Sequence, residues 1–227
     1  MLKLPQMTEC LLNGERCFLE QPAWQEVMKS VIQEEGSPIS DRSEIVLSLL
    51  MLKCRIPGFS YEVTKLICVD PSPDVNDIED LASRLRRHRS NFLNWHSRYQ
   101  SIISRFPDMS PGSPDYDSHC KVFANYLSCV MITSRLLEAV CAAERPELEG
   151  MTQSLISQMF DLELEVHNSP TSLFMAQTLG VAQATKMTAD DWKEVKPVII
   201  ENQPDTNGLI ERWKFERWCK TFGRKMP

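Results

Sequence analysis

DIEDLASRLRRHRSNFLNWHSRYQSIISRF, residues 77–106, carries the clearest period in the chain and is closed by Pro107. Ile78, Leu81, Leu85, Phe92, Trp95, Tyr99, Ile102 and Phe106 recur at spacings of three and four, with one step of seven. That recurrence marks one apolar face of a helix. The opposite side carries Arg86, Arg87, Asn94, Arg98, Ser101 and Arg105. Neither Gly nor Pro interrupts the thirty residues, and Asp77 is the expected N-cap. At the rise of an α-helix the element is roughly 45 Å long, enough to touch most of a domain of this size.

Downstream, PDMSPGSP (107–114) is the strongest loop signal in the chain and a natural hairpin between two long helices. Tyr116 to Ala143 then carries Val122, Phe123, Leu127, Val130, Met131, Leu136, Leu137 and Val140 without Gly or Pro, which predicts the second long helix. Arg145-Pro146 is expected to break it. Glu147–Val166 and Thr171–Lys186 are the next predicted helices, and Thr188 to Asp191 has capping-box spacing. Pro197–Gly208 reads as a loop. The chain closes with LIERWKFERWCKTFGRK, a predicted helix whose Trp213, Trp218 and Phe222 are expected to dock onto the core.

Upstream, Trp24, Val27, Met28 and Val31 mark one face of a helix that Pro22 opens. Ile45 to Leu52 is apolar nearly all round, as buried helices are, with Asp41 or Ser43 as cap. Ile56-Pro57-Gly58 is expected to end it, and Tyr61–Val69 to form a short helix. Residues 1–20 show no clear period and are expected to be an irregular leading segment. Residues 21–227 are expected to form a single domain. The predicted fold is all-α: about eight helices around two long antiparallel ones.

Hydrophobic residues make up 42% of the 227, enough for a sizeable core, and eight glycines are too few for a many-stranded sandwich or barrel. Net charge is −6 but uneven: Leu81 to Arg105 holds six arginines and no acid. Glu211 to Pro227 is also basic, so the remainder is strongly acidic. The basic faces are expected to pair with acidic elements of the same fold or to face solvent, since nucleic-acid binding usually comes with a basic domain. The eight cysteines form no C-x-x-C, and the apolar run of MLKLPQMTEC is too short for a signal sequence. Reduced thiols in an intracellular protein are expected, and no run reaches membrane-spanning length.

The chain contains no Gly-rich phosphate loop, G-x-S-x-G, H-E-x-x-H or paired Cys/His spacing. His88 and His96 fall toward the apolar side of the long helix. His119 and Cys120 are neighbours in sequence and so diverge on a helix. Glu163, Glu165 and His167 read as an acidic helix end. All four histidines are expected to be structural or at the surface. No catalytic, cofactor-binding or metal-ligating residue is assigned, and no cofactor is expected.

Four segments in order carry a resemblance: FLEQPAWQEVMKSVI (18–32), ISDRSEIVLSLLMLKCRIPGF (39–59), LRRHRSNFLNWHSRY (85–99) and WKFERWCKTFGRK (213–225). Together they resemble the C-terminal regulatory region of fungal transcription factors that carry a binuclear zinc cluster (Zn2Cys6). The resemblance implies a helical regulatory domain, a role in transcription and a nuclear or cytoplasmic location. Such a region follows a six-cysteine DNA-binding module, whereas residues 1–17 hold only Cys10 and Cys17. Direct DNA binding is therefore not expected from this chain. The expected function is a regulatory interaction domain that meets a protein partner or self-associates, with Arg87, Arg98 and Arg105 as the candidate interaction face. The alternatives are a helical small-molecule sensor, with an apolar effector between the helices, and a stand-alone interaction module.

Overall fold

The computed structural model describes residues 5–33, 35–70, 72–106, 109–166, 172–186 and 212–221. The described residues form α-helices and short 3-10 and π turns, with no strand. The helices are α1 (Pro5–Asn13), α2 (Pro22–Ser30), α3 (Glu44–Lys53), α4 (Ile56–Thr64), α5 (Val75–Ile103), α6 (Pro114–Val140), α7 (Arg145–Val166), α8 (Ser172–Thr185) and α9 (Arg212–Thr221). A π turn, Lys65–Val69, extends α4. The predicted capping box and the 197–208 loop lie outside the described residues.

The two long helices are antiparallel neighbours. Tyr99 stacks on His119, Trp95 on Tyr126, and Arg89 reaches Ser134, so positions fall along α5 as they rise along α6. The apolar face read from the sequence is the packed one: Leu81, Leu85, Phe92, Trp95 and Tyr99 are buried, and Ile78, Ile102 and Phe106 pack against the same core. α6 is the more central of the pair. Every residue from Tyr126 to Val140 is buried, with α5, α7, α8 and α4 packed around it. A helix covered on all sides needs no polar face, and its apolar period is correspondingly weak.

Several local expectations are corrected. Residues 5–13 of the expected irregular leader form α1, whose Met7 and Leu11, one turn apart, are buried. Asp74, not Asp77, caps α5: its carboxylate accepts from the Asn76 amide at 2.8 Å. Of the two caps expected for α3, Ser43 is the one used, accepting from the Val46 amide. Ile56-Pro57-Gly58 begins α4 instead of ending α3. Proline fits a first helical turn, where its missing N–H has no partner to lose. A Cβ on Gly58 would lie 2.4 Å from the Glu20 carboxylate, so glycine permits that approach. Arg145-Pro146 likewise opens α7, α6 having ended at Val140. On α2 the inward residues are Gln25 and Met28, whereas Trp24, Val27 and, just past the helix end, Val31 are exposed.

α9 returns to the bundle against α8 and the π turn, with Trp218 and Cys219 buried. The side chains of Trp213 and Phe222 lie outside the described residues. Among the described residues no helix is long and apolar enough to cross a membrane.

Candidate functional site: an apolar cavity with a half-buried lysine

A cavity of about 250 Å³ lies among α1, the α3–α4 corner, α6 and α8. Its walls follow from the local sequence. α3 is largely apolar, its polar residues being Glu44, Ser48 and the last residue, Lys53. Pro57 turns the chain into α4, placing Ile56 and Pro57 beside that lysine. α1 contributes Met7 and Leu11, α6 contributes Cys129 and Ile132, and α8 contributes Val181 and Ala184. Ala176, Gln177 and Gly180 of α8 are exposed, so the cavity opens toward solvent along that helix.

The polar groups on the walls are mostly committed elsewhere. The Ser128 hydroxyl donates to the Ala124 carbonyl at 3.0 Å, and that of Thr178 to the Met175 carbonyl at 2.9 Å. Each is turned back onto its own helix, a common resting place for a hydroxyl in an apolar setting. Gln177 is tied to the Thr8 hydroxyl across the mouth.

Lys53 remains. Its ammonium donates to Asn125 Oδ1 at 2.6 Å, while the Asn125 amide nitrogen is held by the Lys121 carbonyl. Among the described residues no carboxylate reaches ion-pair distance of Lys53, although arginines of the same fold are richly paired. Burial lowers the pKa of the ammonium. The nearby Cys129 thiol is no counter-ion, because burial pushes it up to about 11 and it stays protonated at neutral pH. An ammonium held by a single neutral acceptor in an apolar wall is poorly compensated, and an anion is the group that would complete it.

The face chosen from the sequence lies elsewhere. Arg87 and Arg98 are exposed on the outer side of α5, roughly 16 Å apart along the helical rise, and Arg105 is exposed in the turn just past its end. Arg98 is joined to Glu44 at 2.8 Å and borders an open groove between α2, α3 and α5 that Arg55, Asn91 and Asn94 also line. The other arginines of α5 are engaged within the fold. Arg84 pairs with Asp80 and Glu62, Arg86 with Glu79 and Glu144, and Arg89 donates to Ser134.

The histidines sit in packed surroundings. His88 lies between the rings of Phe59 and Phe92, and burial pushes its pKa down to about 4. His96 and His119 each stack on Phe123, and burial lowers the pKa of both. His167 lies outside the described residues. Among the described residues no group of three or more His, Cys, Asp or Glu is placed to hold a metal ion. All eight cysteines are free thiols. Burial raises Cys17 to about 11 and Cys54 to about 12, which leaves them poor nucleophiles at neutral pH.

Lys53 was not singled out from the sequence. The signal was a lysine closing the largely apolar run EIVLSLLMLK, but that no carboxylate among the described residues reaches it is a property of the packed chain. Compared with known proteins, the chain matches no family model, no curated protein and no solved structure.

Proposed function

We propose that this chain is a ligand-responsive regulatory domain of the transcription-regulator type, which binds a small, largely apolar molecule and passes the event to a protein partner. The carrying observation is the 250 Å³ cavity with Lys53 as its poorly compensated charge. Cavities between the helices of a bundle are a recurrent site for small ligands. The transcriptional and nuclear part of the reading is supported by the four segments that resemble zinc-cluster regulators. The proposed output face is the exposed Arg87–Arg98–Arg105 surface, along α5 and just past its end. Direct DNA contact is not part of the proposal, because the six-cysteine module is not among these residues.

The test is to tether the chain to a heterologous DNA-binding domain upstream of a reporter in a fungal host. The fusion is expected to change transcription relative to the DNA-binding domain alone. Charge reversal at Arg87, Arg98 and Arg105 is expected to abolish that change while leaving the melting curve of the isolated chain in place. A fusion indistinguishable from the bare DNA-binding domain would overturn the regulatory reading.

A second reading, a stand-alone interaction module, is favoured by the outward apolar stripe on α2. Trp24, Val27 and Val31 are 40%, 46% and 40% exposed. Under that reading, substitution of the stripe by serine removes partner binding, and ligands of the cavity leave partner binding unchanged.

A further inference from the structure

We propose that the cavity takes a small amphipathic acid, a medium-chain monocarboxylate with its head group on the Lys53 ammonium and its chain against α1, α6 and α8. This inference rests on the reading of the domain as ligand-responsive and names the chemical class of the ligand.

Size sets the first limit. A dry cavity of about 150 Å³ accommodates benzene. On that scale the 250 Å³ here suits roughly ten non-hydrogen atoms. A peptide segment or a nucleotide is too large, and octanoate is close to the mark.

Polarity sets the second. Met7, Leu11, Ile132, Val181 and Ala184 supply an apolar wall, and the Ser128 and Thr178 hydroxyls are already bonded to their own helices. A ligand with polar groups along its length would therefore find few partners, whereas an alkyl chain needs none.

Charge sets the third. A cationic ligand would meet Lys53 in an apolar setting, where like charges repel strongly. A neutral alkyl ligand would fill the volume but leave the ammonium with Asn125 as its acceptor. A dianionic phosphate would ask for more donors than one ammonium supplies, and would face the Asn125 Oδ1 acceptor beside it. A single carboxylate satisfies one ammonium, with the alkyl chain burying what the head group does not.

The mouth fits the same ligand. The hydrogen bond from Gln177 to Thr8 joins α8 to α1 beside the cavity. Gly180, one turn further along α8, lines it with no atom within 4 Å of where a Cβ would sit.

The experiment titrates the whole chain with sodium octanoate, octan-1-ol and octylamine at neutral pH, by calorimetry and by thermal melting. Octanoate is expected to bind at least about tenfold more tightly than octan-1-ol and to raise the melting temperature, while octylamine has no effect. In Lys53→Met the preference for the acid is expected to collapse to about onefold, with the ligand-free protein still folded because a half-buried charge has been replaced by an apolar chain of similar length. Gly180→Leu, which projects a side chain into open space at the mouth, is expected to weaken both octyl ligands. Equal binding of octanoate and octan-1-ol, unchanged by Lys53→Met, would overturn the carboxylate assignment and leave the ligand-responsive reading standing. Octanoate binding that is undiminished in both variants would place the site elsewhere and overturn the inference. Failure of every octyl compound to stabilise the chain would overturn the cavity as a ligand site, and the ligand-responsive reading with it.

Discussion

At the residue scale, Trp95 and His88 show how one face of α5 does two different jobs. Trp95 is 3% exposed, donates its indole N–H to the Ile45 carbonyl at 2.8 Å, and stacks on Tyr99 and Tyr126. Burying an indole of about 200 Å² contributes on the order of 5 kcal/mol, against about 1 kcal/mol for the hydrogen bond, so packing is the larger effect. Trp95→Ala is expected to cost about 3–5 kcal/mol in urea denaturation. A cost near zero would mean that α5 is not anchored through this face. His88 occupies the same face two turns earlier, but its Nε2 has no hydrogen-bond partner among the described residues and burial pushes its pKa down to about 4. The folded value lies below the unfolded one, so between pH 6.5 and 4 the unfolded chain binds more protons. Stability is therefore full above about pH 6.5 and is lost as pH falls toward 4, at up to about 1.4 kcal/mol per pH unit for this group. His88→Leu is expected to flatten that dependence and to exceed the parent protein in stability at pH 5. His96 and His119 act in the same direction, so some slope remains. Glu138 acts oppositely: its carboxyl is pushed up to about 7, so its contribution falls as pH rises from about 4.5 to 7. A denaturant midpoint measured at four pH values in both proteins decides the point.

At the element scale, α6 is joined to α7 and α8 through Arg135. This arginine is 3% exposed and donates to Glu138, Glu149 and the Thr185 carbonyl. Thr185 is the last residue of α8, so the guanidinium sits where helix carbonyls are left without intrahelical partners and the dipole is negative. Arg135→Ala would leave the buried Glu138 carboxylate without this cation, an arrangement that costs about 3–5 kcal/mol. The double change Arg135→Met with Glu138→Leu removes both charges and is expected to recover much of that loss. A double-mutant cycle on urea midpoints measures it, and strictly additive losses would mean that the pair is not coupled. Sequence periodicity located α6 and its length to within a few residues. It did not identify α6 as the central helix, because a helix buried on every side has weak amphipathic contrast. Arg135 and Glu138 passed as polar punctuation in that run, since nothing local distinguishes a buried pair from an exposed one at the same spacing. The start of α4 has a similar origin. Proline is compatible with the end of one helix and with the first turn of the next, and the closing of α3 at Cys54 settles which.

At the scale of the whole molecule, the bundle is closed by its C-terminal helix, where Trp218 and Cys219 are 2% and 0% exposed. Removal of residues 209–227 is expected to cost at least about 3 kcal/mol, or roughly 6–12 °C in melting temperature. An unchanged melting curve for the truncated chain would contradict that docking. The sequence by itself determined the all-helical character, the two long antiparallel helices and their intervening loop, and the apolar face of α5. These rest on periods and breakers that act within a few turns of one helix. The tertiary structure decided the rest. It put α6 at the centre, turned Trp24, Val27 and Val31 outward, gave most α5 arginines partners within the fold, and left Lys53, beside an apolar cavity, without a carboxylate among the described residues. A cavity wall assembled from residues 7 to 184, and the absence of a counter-charge within it, are relations between distant segments. Local sequence sets which groups each helix carries, and only packing determines which of them meet.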